Sequence, residues 1–148
     1  MDIFEQVTAH FAERKWPMQK MEGENILSCP YNGTHGTWAF VVTCDDDVLV
    51  MFARAPRNCP PDYYDEVTAF MNRANFGMTH GAWVMDRTDG EIRFRVGADL
   101  GGLTPDSDFF QRMTLYTNFT MDKYLPGFTA VINDDATYEE AFAIVFPE

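Results

Sequence analysis

A chain of 148 residues, 46% of them hydrophobic and including 13 Phe, 6 Tyr and 3 Trp, has the material for one well-filled domain. At that length folding buries roughly 70% of the unfolded surface without staples, and the composition excludes intrinsic disorder. The net charge of -12 argues against charge-driven binding to nucleic acid or to an anionic membrane, since both need a positive protein surface to displace their counterions.

Residues 2 to 15 read as an amphipathic helix, with Ile3, Phe4, Val7 and Phe11 three and four apart, ended by Pro17. Strand segments follow near Met18–Met21 and Ile26–Tyr31, and Asn32-Gly33 marks a hairpin turn. In Thr37–Cys44 the residues Trp38, Phe40, Val42 and Cys44 share one face. Asp45-Asp46-Asp47 turns the chain into Val48–Ala53, apolar on both faces and therefore central. Pro56 to Pro61 is a stiff connector to a second helix, 62 to 75, with Tyr63, Val67, Phe70, Met71 and Ala74 as its stripe.

A hairpin comes next: Thr79–Asp86, a turn ending in Asp89-Gly90, then Glu91–Val96. In its second arm Ile92, Phe94 and Val96 face one way, while Arg93 and Arg95 form a small positive strip suited to an acidic contact. Thr104-Pro105 is expected to cap and open a third helix to about Tyr124. Pro126-Gly127 is expected to kink or break it before a short piece, Phe128 to Ile132. Thr137-Tyr138-Glu139-Glu140 has the form of a capping box opening a last helix. The order predicts a single α+β domain over 1–148: an antiparallel twisted sheet of about five strands with helices packed on one face.

Chemical motifs are scarce. The N-terminal residues lack a basic start followed by an apolar run, so no secretory signal is read. The apolar run Val48–Ala53 is far too short to span a bilayer. Cys29, Cys44 and Cys59 have no C-x-x-C spacing, which points to a reduced, cytoplasmic protein. Cys59 lies near Arg57, a charge that favours a thiolate, but no His is near it in sequence, and the reading is a structural cysteine. His10, His35 and His80 show no ligand pair, and His10 reads as a surface or boundary residue. Asp45-Asp46-Asp47 lacks the calcium-loop pattern, and neither a phosphate loop nor a nucleophile elbow occurs. No metal, cofactor or catalytic residue is assigned.

The stretches Phe70-Met71-Asn72-Arg73-Ala74-Asn75-Phe76-Gly77, Gly81-Ala82-Trp83-Val84-Met85-Asp86 and Asp89-Gly90-Glu91-Ile92-Arg93-Phe94-Arg95 carry the most information. With 116–127 they resemble the YbjN family of bacterial proteins, labelled a sensory transduction regulator, whose fold resembles type III secretion chaperones. The resemblance covers most of the chain and brings no catalytic signature with it. Read physically, Asn72 and Asn75 cap the end of the second helix, and Gly77 suits a left-handed terminating position. Asp86 and Gly90 set the hairpin turn, and Asn118 and Asp122, one turn apart, tie the third helix to the same joint.

The chaperone resemblance implies a homodimer through Tyr63, Val67, Phe70 and Met71. It also implies a protein partner docked on the sheet or on Ile3, Phe4 and Val7 of the first helix, with Arg93 and Arg95 as further contacts. The expectation is a non-enzymatic protein-binding, chaperone-like or regulatory module of the bacterial cytoplasm. A small-ligand-binding signalling regulator is the alternative.

Overall fold

The computed structural model describes residues 1–148. Helix α1 (Ile3–Glu13) is capped by Asp2, whose carboxylate accepts from the Glu5 N–H at 2.8 Å. Then come β1 (Gln19–Lys20), β2 (Ile26–Asn32), β3 (Thr37–Asp45) and β4 (Val48–Arg54). A single 3-10 turn (Pro61–Tyr63) leads into α2 (Tyr64–Phe76), followed by β5 (Ala82–Asp86) and β6 (Glu91–Asp99). The chain ends in α3 (Ser107–Asp134) and α4 (Tyr138–Val145).

The sheet has six strands in the order β1-β2-β3-β4-β6-β5, every neighbour antiparallel. The sixth strand beyond the expected five is the two-residue β1, which pairs only with Leu27 and Ser28. β4 is central as its two-sided apolar character predicts. The β5–β6 hairpin arrives with β6 innermost, because β6 presents the wholly buried Ile92 and Phe94. Trp38, Phe40, Val42, Leu49, Met51, Ala53, Trp83 and Phe94 all point to one face, where α1, α2 and α3 cover them. Burying each large side chain contributes about 1.5–3 kcal/mol. No helix covers the other face, which carries Val41, Val50 and Phe52 half-buried among Arg54, Glu91, Arg93 and Arg95. Helix α4 forms an outer layer on α2 and α3.

Two expectations about α3 are corrected. Its N-cap is Asp106, which accepts from the Phe109 N–H at 2.8 Å, so Thr104 and Pro105 belong to the preceding connector. The helix also runs unbroken through Pro126. A proline has no N–H to give the carbonyl four residues earlier, which is Asp122. That carbonyl instead accepts from His35 Nδ1 at 3.0 Å, so the missing helical bond is replaced from the β2–β3 turn. Gly127 follows because a Cβ there would lie 2.5 Å from the Phe70 ring. At the end of the chain the expected capping box is present: Thr137 and Glu140 each bond to the other's backbone.

Both sheet edges are blunted. The bond from the Met21 N–H to the Ile26 carbonyl shows that even-numbered residues of β2 face outward. Pro30 therefore removes a donor from the exposed edge, where β1 no longer covers it. On the opposite edge Asn75 occupies β5: the Trp83 N–H donates to Asn75 Oδ1 at 2.7 Å, and Asn75 Nδ2 donates to the Trp83 carbonyl at 3.0 Å. These devices oppose strand addition.

Candidate functional site

The residues singled out in the sequence separate into two joints. Around β5 and β6, Asn75 closes the edge by imitating a strand partner, not by capping its helix. Asn72 is exposed and makes no hydrogen bond. Gly77 has φ -89° and ψ -5°, ordinary right-handed backbone, so its expected left-handed role is corrected too. The left-handed position is Gly81, at φ +79°, where a Cβ would meet Phe94 at 2.7 Å. Asp86 accepts from the Thr88 N–H and hydroxyl, at 2.9 and 2.7 Å, as a turn aspartate does. Gly90, at φ +83°, lets the hairpin press on the connector: the Cys59 N–H donates to the Gly90 carbonyl at 2.8 Å.

Asn118 and Asp122 serve a different joint, with partners 80 to 88 residues away in sequence. Buried Asn118 accepts from Trp38 Nε1 at 2.9 Å and donates to the Thr114 carbonyl at 3.0 Å. Asp122 accepts from the Thr34 and His35 N–H groups at 3.0 and 2.8 Å. Burial by itself raises the Asp122 carboxyl, but those backbone bonds and the His35 imidazole outweigh it and hold the group below the usual aspartate value. Asn118 and Asp122 thus tie α3 to the β2–β3 hairpin, not to the end of α2.

The face expected to form a dimer is spent inside the chain. Val67, Phe70 and Met71 are 0, 0 and 5% exposed, with Phe70 edge-on to Phe128 at 4.9 Å. Tyr63 is half-buried, its hydroxyl bonded to Asp135. Ile3, Phe4 and Val7, the expected partner contacts on the first helix, are likewise turned into the core. Apolar periodicity marks a buried face without saying which surface buries it. Arg93 and Arg95 do lie on the open sheet face. Arg93 is bonded to Glu91 and lies 4.2 Å from the Phe52 ring centroid, and Arg95 is exposed.

Reactive groups are equally constrained. Cys29, Cys44 and Cys59 are buried, and burial pushes all three thiols up, Arg57 offsetting only part of it at Cys59. No three His, Cys, Asp or Glu side chains converge as a metal site would require. His10 is buried, not at the surface or boundary position expected. Its Nδ1 lies 2.8 Å from Ser107 Oγ and 3.0 Å from Arg14, which also donates to Ser107 at 2.6 Å. The spacing suits a base and nucleophile, yet burial and the Arg14 charge lower the imidazole and no carboxylate orients it. The trio is a polar staple between α1 and α3, and the only sequence signal for it was the four-residue spacing of His10 and Arg14.

What the surface offers is a groove of about 650 Å³ between the end of α2 and α4. Ala69, Arg73, Phe76, Tyr138 and Phe142 line it, together with Asn72 and Gly77. Phe76 is 93% exposed, and Phe119, Ile144 and Phe146 are other exposed apolar side chains of α3 and the α4 end. Cations sit over the aromatics: Arg73 lies 4.3 Å from the Phe142 ring centroid and Lys123 4.2 Å from that of Phe146. Sequence reading missed Phe76 because it falls off the buried stripe and shows no partner of its own.

The family described as "YbjN: Putative bacterial sensory transduction regulator" matches residues 4–111. Among solved structures the chain is similar to "Crystal structure of YbjN, a putative transcription regulator from E. coli". The TM-score is 0.61 at 10% identity, covering 82% of this chain and 92% of that one, a likeness of fold. No curated protein matches the chain in sequence. No helix is long and apolar enough to cross a membrane.

Proposed function

The chain belongs to the YbjN family, and we propose that it acts without catalysis, as a chaperone-like or regulatory module of the bacterial cytoplasm that holds an apolar segment of a protein partner. The observation that carries this reading is Phe76, almost wholly exposed beside the α2–α4 groove. Single exposed apolar side chains are ordinary, but an aromatic lining with a free Phe beside it favours an occupant. No carboxylate lines the groove, and Arg73 stands in it on a chain of net charge -12. The matching segment is an amphipathic helix with apolar anchors flanked by Asp or Glu, bound as a helix in a groove. Strand addition fits poorly, since Pro30 and Asn75 blunt the edges.

The test is a photo-cross-linking residue at position 76 in the native host, followed by purification of the captured protein and direct binding to the wild type and to Phe76→Asp and Arg73→Glu variants. A purified partner that binds the wild type and is lost from both variants supports the reading. Retention unchanged by both variants overturns it. A dimer of this chain dissolved by Phe76→Asp assigns the groove to self-association instead.

A further inference from the structure

A second concavity, remote in chemistry from the α2–α4 groove, has the makings of a small-molecule site. β5 begins at Ala82, opposite Arg95, whereas β6 continues to Asp99, so the last residues of β6 overhang without a strand on that side. The overhang faces the first turns of α3 across a cleft of about 430 Å³, within the range of ligand pockets. Val96, Ala98, Phe109 and Met113 supply apolar walls. Tyr116 is a fixed wall: its hydroxyl donates to the His80 carbonyl at 2.9 Å, and its ring stacks on the His80 imidazole with centroids 4.1 Å apart.

Two polar features converge there. The bond from the Ala55 N–H to the Ile92 carbonyl shows that even-numbered residues of β6 address β4, so the Gly97 N–H and carbonyl address the cleft side. No backbone or side-chain partner takes either group. Arg112 also lines the cleft and is exposed. Its guanidinium has no carboxylate within salt-bridge distance, neither Asp108 one turn earlier nor Asp99 at the strand end. A free guanidinium on so acidic a chain, beside an apolar slot and an unused backbone N–H, complements an anion with an apolar body.

We propose that the β6–α3 cleft binds a small carboxylate bearing an aromatic or branched aliphatic group, with Arg112 meeting the carboxylate and Phe109, Met113 and Tyr116 enclosing the body. This site stands independently of the protein-docking groove. The test is titration of the full chain with naphthoate, followed by amide resonances. Saturable shifts centred on Gly97, Phe109 and Tyr116 are expected. Affinity falls about tenfold in Arg112→Gln, the loss expected of one charge-assisted bond. Ala98→Phe, which fills the cleft from a half-buried position, abolishes binding while the rest of its spectrum stays native. Arg87→Gln, outside the cleft, binds as the wild type does. The proposal is overturned if naphthoate does not bind, if the shifts centre on Phe76 and Phe142, or if neutral naphthamide binds as tightly as naphthoate.

Discussion

Replacing Asn75 by Ala removes both hydrogen bonds that this side chain makes to the Trp83 backbone, at 2.7 and 3.0 Å. Each intramolecular hydrogen bond contributes roughly 1 kcal/mol net. Asn75 is half-buried, so water recovers part of the loss, and a destabilisation of about 1–2 kcal/mol is expected. For a domain of this size that lowers Tm by roughly 3–6 °C. Asn72→Ala supplies the contrast: its side chain is exposed and unbonded, and its effect stays within about 0.5 kcal/mol. Urea unfolding followed by circular dichroism measures both, and hydrogen exchange at the Trp83 amide reports the local loss. Equal destabilisation by the two substitutions would mean that both cap the helix, refuting the strand-edge role. So would an Asn75→Ala variant that leaves Trp83 exchange unchanged.

Three further outcomes are expected. The Asp122 carboxyl is held below its usual value in the fold, so its contribution is complete above the ordinary aspartate value and is lost as pH falls through the lower folded one. Between neutral pH and about pH 3, Asp122→Asn should lose less stability than the wild type; parallel pH profiles would contradict this. Gly90→Ala should cost about 2 kcal/mol or more, because a Cβ would lie 2.1 Å from the Cys59 carbonyl oxygen on backbone at φ +83°. Thermal unfolding reads that loss. Iodoacetamide should leave Cys29, Cys44 and Cys59 unmodified in the native protein at neutral pH and label all three in urea, as mass spectrometry would show.

The parts of the fold written locally were legible. Alternation in β3 placed Trp38, Phe40, Val42 and Cys44 inward, because a period of two reports directly which face is wet. Thr137 and Glu140 announced the last helix for the same local reason. What escaped depends on distant partners. The rule that proline breaks helices failed at Pro126 because His35, from the distant β2–β3 turn, takes its place as donor to the Asp122 carbonyl. Asn75 was recognisable as a residue with polar work to do, but its target lay across a turn on a strand edge. The stripe of Val67, Phe70 and Met71 was legible as apolar, but the sequence does not show that the same chain buries it, with Phe70 packed on Phe128 of α3. Phe76, beside the candidate docking groove, has no signature in sequence because exposure is a property of the assembled surface.

The central claim, that this chain holds a protein segment against the α2–α4 groove, is tested most directly by the partner that cross-links through position 76. Purified and mixed with the full chain, that partner is expected to bind the wild type and to lose at least tenfold in affinity on Phe76→Asp, as removal of an anchoring aromatic does. Equal affinity for wild type and variant would contradict the account.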